Sequence, residues 1–312
     1  MEAYLLLALG LVILLVGGKI LVDGASAIAV KLGMSAGLIG LTIVAFGTSA
    51  PELIVSVNAA LKGNSDISIG NVLGSNIANL GLVLGISGLF YPILIKKSHI
   101  KFDYTVTLIV SLLFFGLSYN GYIGFWEGFL LVSFFVLFNV YLFKGENGNS
   151  LEFIEGVEEV EHVKGYNWLV SVVLFLGGII GLYLGSELLV GNAVKISREF
   201  GVSERVIGVT IIAIGTSLPE LITSIMAALS KRTDLAMGNI LGSNIMNILS
   251  IIGITALIHP INVSQEFIQS DFLWMLGITL LLLPLMKTKL KISKLEGSIL
   301  LLSYLAYLYF LL

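Results

Sequence analysis

The chain has 312 residues, 57% of them hydrophobic and only 12% charged, whereas a soluble domain carries about a quarter charged residues. A soluble fold is excluded, and a net charge of −3 with no basic run offers nothing for nucleic acid to bind. The absence of cysteine also excludes disulfides, thiolate metal sites and cysteine nucleophiles.

Apolar runs long enough to cross a bilayer, which takes about 20 residues each, follow one another along the whole chain. Polar, glycine and proline punctuation predicts helices over 3–32, 37–61, 66–91, 103–119 and 122–143, then over 167–197, 205–230, 234–258, 270–286 and 295–311. Glu2 precedes the first without a basic segment, so it reads as a true span rather than a cleaved leader. The long polar stretch 145–165 carries Glu146, Glu152, Glu155, Glu158, Glu159 and Glu161 and divides the spans five and five. It reads as a solvated connector between units 1–144 and 166–312. With the N-terminus outside, inside loops hold twelve Lys and Arg, among them Lys231 and Arg232, against four outside: Lys62, Lys195, Arg198 and Arg205. That bias places both termini outside and the acidic linker in the cytoplasm.

Laid over itself at an offset of 168, the sequence aligns Ile39–Ile86 with Ile207–Ile254 without a gap, and 27 of 48 positions are identical. A five-helix unit is odd, so its second copy enters the membrane from the opposite side. The expected fold is an all-α integral membrane protein of ten transmembrane helices in two inverted five-helix repeats. Transporters use that architecture, with sites near the midplane between repeats.

The duplicated segments carry polar residues where apolar ones belong. Each copy of the second helix reads Gly-Thr-Ser-x-Pro-Glu and places a carboxylate, Glu52 or Glu220, mid-span. Buried charge at that depth costs about 2.5 kcal/mol or more, so it pairs or lines a wet cavity; two symmetric acids imply a shared cation. Pro51 and Pro219 lack an N–H, which leaves the carbonyls of Gly47 and Gly215 without their helical partner. Thr48 and Ser49 share a flank with Glu52, as Thr216 and Ser217 do with Glu220. The third and eighth helices each read Gly-Asn-x-x-Gly-Ser-Asn-x-x-Asn and place Ser75 with Asn79 and Ser243 with Asn247, one turn apart. Each pair is expected to face the Glu-bearing helix of its own half. Asn71 and Asn239 read equally well as interhelical contacts. Asp66 and Asp234 read as helix caps, and Lys19, Asp23 and Glu187 as helix-end or interhelical pairs. The three histidines, His99, His162 and His259, fall in predicted loops, so the donors are all oxygen, which suits calcium or sodium. Two carboxylates match one calcium or two to three sodium ions, and their repulsion when empty would make exchange obligatory.

Together these motifs resemble the α-repeats of the sodium/calcium exchanger family, of prokaryotic type, within the cation/calcium antiporters. The resemblance implies that Glu52 and Glu220 hold calcium with the backbone carbonyls of Thr48 and Thr216. It implies flanking sodium sites completed by Ser49, Ser75, Ser217, Ser243 and the carbonyls of Ala45 and Ala213, with Asn79 and Asn247 lining the centre. Some relatives carry an acid where this chain has Asn247. The resemblance also implies three-for-one electrogenic exchange, calcium extrusion across the plasma membrane, no cofactor, and first and sixth helices that slide across the core. Glycines 10, 17, 18, 177, 178, 181 and 185 on those helices fit either sliding or static close packing. A monomer suffices. The alternatives are a proton/calcium antiporter, whose relatives carry a Gly-Asn-rich motif around the acid, and a passive cation channel. An intramembrane enzyme is disfavoured, because Ser49 and Ser217 lack a base beyond their own helix's glutamate.

Overall fold

The computed structural model describes residues 2–145, 163, 165–201 and 213–311. Residues 146–162 and 164 of the acidic linker, with His162, and residues 202–212, which include the start of the predicted seventh span, lie outside the described residues. The described residues are mostly helical: α1 Glu2–Leu32, α2 Ala36–Thr48, α3 Ala50–Leu61, α4 Ser65–Phe90, α5 His99–Ser118 and α6 Phe125–Gly145 precede the linker. After it come α7 Trp168–Glu199, α8 Ala213–Thr216, α9 Leu218–Leu229, α10 Thr233–Ile258, α11 Phe267–Lys287 and α12 Lys294–Leu311. Among the described residues, eight of these are long and apolar enough to cross a membrane; the bent pair α2–α3 makes a ninth, and α9 is a shorter apolar helix.

Buried apolar residues concentrate on α4 and α10, which are sheathed by the other helices. The fifth helix of each half packs on the third helix of the other. A Cβ added at Gly85 of α4 would lie 3.0 Å from the Gly297 carbonyl of α12, and one at Gly128 of α6 would lie 2.8 Å from the Gly253 carbonyl of α10. Two short antiparallel strand pairs repeat this cross-clasp. β1 (Ile93–Leu94) pairs with β4 (Lys291–Ile292), Ile93 opposite Ile292, and β2 (Tyr122–Ile123) pairs with β3 (Ile261–Asn262), Ile123 opposite Ile261.

The outer pair α1 and α7 run antiparallel in backbone contact. A Cβ at Gly10 would sit 2.7 Å from the Leu189 nitrogen, one at Gly24 2.4 Å from the Phe175 nitrogen, and one at Gly178 2.5 Å from the Leu21 nitrogen. Such approach is open only to glycine, so these residues serve close packing. Gly177 has no atom within 4 Å and stands outside this seam. At about 1.5 Å per residue both helices exceed the hydrocarbon thickness and must tilt.

Among the described residues, five π-helical turns were not legible in the sequence. Four of them occupy equivalent places in the two halves: Asn79–Val83 with Asn247–Ile252, and His99–Asp103 with Phe267–Asp271. His99 therefore opens a span rather than lying in a loop; it is buried, with Nε2 3.8 Å from Asp234 Oδ1. Asp234 is not an N-cap but a first-turn residue that also pairs with Lys96. Asp66 likewise lies within the first turn of α4, where its charge favours the helix N-terminus.

Candidate ion site

Pro51 and Pro219 sit at the start of α3 and α9, and the chain bends just before them: Ser49 and Ser217 both adopt φ −87°, ψ 5°. The bend between α2 and α3 is 45°. A missing N–H at each proline is the cause, and the break turns the following glutamate into the interior. Glu52 is 0% exposed and Glu220 1%. They interact electrostatically with each other across the interface between the halves.

The hydrogen bonds around them cross between halves. Ser49 Oγ donates to Glu220 Oε1 at 2.9 Å, and Thr48 Oγ1 donates to Asn239 Oδ1 at 3.3 Å. Asn247 Nδ2 donates to Ser75 Oγ at 3.1 Å, and Asn79 Nδ2 to Asn244 Oδ1 at 3.0 Å. Ser75 and Asn79 thus meet the third helix of the opposite half rather than the glutamate helix of their own. Asn71 and Asn239 take the interhelical role: Asn71 Nδ2 donates to Ser56 Oγ and to the Glu52 carbonyl, and Asn239 Nδ2 donates to Ser224 Oγ. Asn244, which also reaches the Asn76 carbonyl at 3.3 Å, was missed by sequence reasoning. Its signal was present, as the asparagine that follows Gly-Ser in both copies.

What remains is a set of buried oxygens without partners among the described residues. Both carboxylate oxygens of Glu52, Oε2 of Glu220, the hydroxyls of Ser217 and Ser243, and Oδ1 of Asn79 and Asn247 accept or donate no hydrogen bond there. Each such group costs about 1–3 kcal/mol if left dry, and more when charged. The Ala45 carbonyl accepts from Thr48 Oγ1 and from the Ser49 amide, whereas in the second copy the Ser217 amide turns to Ile214. Ala213 is the first described residue of α8, and Thr216, at its end, is half-buried. The Gly215 carbonyl, expected to be unpaired, accepts Ser186 Oγ of α7 at 2.8 Å. The sequence could not show that, because the hydroxyl comes from 29 residues away.

The two copies are not in the same environment. Gly18 of α1 lies against Ile222, its Cβ position 2.7 Å from Ile222 Cγ2, and Ile222 is 8% exposed, while its repeat equivalent Ile54 is 57% exposed. Ser49 reaches Glu220, yet Ser217 does not reach Glu52. One half of the core is covered by α1, and the equivalent surface of the other is open.

Two acids buried between duplicated halves of a helical membrane core define a cation-handling transporter. The chain belongs to the sodium/calcium exchanger family, a family of membrane antiporters: the family model described as sodium/calcium exchanger protein matches residues 2–144 and 170–312. The chain is 40% identical to the protein named CaxA of Alkalimonas amylolytica over 316 residues, 99% of this chain and 98% of that one. It is 32% identical to the sodium/calcium exchanger MaX1 of Methanosarcina acetivorans, over 98% and 97% of the two chains. Its fold matches the solved structure of the sodium-calcium exchanger NCX_Mj, soaked with zero sodium and calcium, with a TM-score of 0.84, 30% identity and 99% of each chain covered.

Proposed function

We propose that this chain exchanges calcium for sodium by alternating access, through a ten-helix pair of inverted repeats. The observation that carries the reading is the pair of buried acids, Glu52 and Glu220, whose carboxylates keep three oxygens without a partner among the described residues. Calcium is the cargo that fits: it takes six to eight oxygens in flexible geometry, and two carboxylates neutralise it. In this reading Glu52 and Glu220 hold calcium with the carbonyls of Thr48 and Thr216. Ser49, Ser75, Ser217, Ser243 and the carbonyls of Ala45 and Ala213 hold sodium, and Asn79 and Asn247 line the centre. No chemical step is catalysed and no resident cofactor is needed.

Exchange is obligatory because a site carrying uncompensated charge is penalised as it crosses the low-dielectric middle. The unequal covering of Ile222 and Ile54 supports alternation, since duplicated halves that trade environments open the site to each side in turn. The protein lies in the plasma membrane with both termini outside and extrudes calcium, three sodium ions entering per calcium. The test is calcium uptake into proteoliposomes under an imposed sodium gradient, compared with an imposed pH gradient. Sodium-driven uptake that carries current is expected. Uptake driven by pH alone would replace sodium with protons as the coupled ion, and single-channel currents would replace the antiporter with a channel.

A further inference from the structure

The covering of one half of the core by α1 is fastened by a charged cluster. Arg232, buried at the start of α10, donates through Nη1 to Asp23 Oδ1 at 2.9 Å and to the Val22 carbonyl at 3.0 Å. Lys19 Nζ stands 3.4 Å from both Asp23 Oδ1 and Ser230 Oγ. A polar group and three charges tie the outer helix to the loop between α9 and α10, at the end of α9 beyond the Gly18–Ile222 contact.

The duplication carries this contact onto a second pair. At the 168-residue offset Lys19 becomes Glu187 and Ser230 becomes Lys62, so the equivalent fastening would join a carboxylate on α7 to an ammonium after α3. Here both side chains are exposed, and neither takes part in an ion pair among the described residues. Opposite charges that stand apart at the place where symmetry would bring them together are what a second, unformed contact leaves behind. Arg232 becomes Asn64 and Asp23 becomes Gly191, so the second fastening lacks the buried guanidinium.

We propose that Asp23, Lys19 and Arg232 latch α1 to the second half in one state of the cycle, and that Glu187 and Lys62 latch α7 to the first half in the other. The proposal rests on the alternating-access reading above. The charge bias of the loops puts Arg232 inside and Lys62 outside, so each latch closes one side of the membrane. A buried, hydrogen-bonded arginine pair is costly to break at one partner, while an exposed lysine–glutamate pair holds weakly. The resting exchanger therefore favours the state closed at the Arg232 side.

Because the chain has no native cysteine, the latches are testable by bridging. Lys19→Cys with Ser230→Cys, and Lys62→Cys with Glu187→Cys, are reconstituted in proteoliposomes and treated with a bifunctional thiol reagent while a sodium gradient is imposed. Both pairs are expected to bridge, each bridge to stop calcium flux until reduced, and a four-cysteine chain never to carry both bridges in one molecule. A 62/187 pair that never bridges in a variant that still moves calcium would overturn the proposal, as would both bridges in one molecule. In a second arm Glu187→Lys is expected to slow flux about tenfold, a typical coupling between linked states, and added Lys62→Glu to restore it; failure to restore would overturn it too. If the unaltered chain shows no sodium-driven flux yet the bridges still alternate, the latch stands and the exchange reading falls.

Discussion

Replacing Glu220 by glutamine separates the charge of the site from its shape. The amide keeps an oxygen at the position that accepts Ser49 Oγ at 2.9 Å, so the bend and the contact between halves survive. What is lost is one charge facing the cation. A dication about 4 Å from a carboxylate gains about 8 kcal/mol at an effective dielectric of about 20. Two carboxylates about 5 Å apart repel by about 3 kcal/mol on the same scale. On the exchange reading proposed above, the empty native site relieves that repulsion by holding a proton or sodium, which calcium must displace. The difference, about 5 kcal/mol, is a loss of between three and four orders of magnitude in calcium affinity. For sodium the attraction halves to about 4 kcal/mol and the net loss of about 1 kcal/mol is about fivefold, so selectivity collapses along with affinity. Titration calorimetry and sodium-driven calcium uptake measure the two. Glu220→Gln protein that binds calcium within tenfold of the native chain would refute the reasoning, and Glu52→Gln carries the same expectation.

Ser49→Ala removes a bond from a hydroxyl to a charged carboxylate, worth about 1.5–3 kcal/mol, and should lower the apparent melting temperature in detergent; Ser217→Ala, whose hydroxyl has no partner among the described residues, should leave it unchanged. Gly178→Ala drives a methyl to 2.5 Å from the Leu21 nitrogen and should destabilise by about 1–3 kcal/mol, as overpacking does. Gly177→Ala, with nothing within 4 Å, should be neutral, and thermal melts distinguish the two. Changing Glu152, Glu155, Glu158, Glu159 and Glu161 to glutamine should leave sodium-driven uptake unaltered, because the linker reads as a solvated connector; a shift in calcium dependence would show that it binds the ion.

Most spans were legible because membrane helices announce themselves by length and apolarity, and among the described residues predicted and observed boundaries agree within a few residues except at α5, which begins at His99 rather than 103; the start of the predicted seventh span lies outside them. The buried acids were legible for the complementary reason: a duplicated glutamate in an apolar run has no structural excuse. Partners from distant sequence were not legible. Ser186 on the Gly215 carbonyl, Ser49 on Glu220 and Asn79 on Asn244 depend on which helix faces which across the interface. The π turn at Asn79 adds a residue to its helix and alters the face that follows, which a regular 3.6-residue period does not anticipate. The unequal covering of the two halves was invisible as well, since it depends on where α1 packs and the repeated motifs around Ile54 and Ile222 give no sign of it.

The most direct test of the central claim is a crystal structure of the protein soaked in calcium, with anomalous diffraction used to find the ion. The account predicts one strong peak between the halves, about 2.3–2.6 Å from oxygens of both Glu52 and Glu220. A peak held by only one of the two acids, or calcium bound elsewhere with the two carboxylates turned apart, would contradict it.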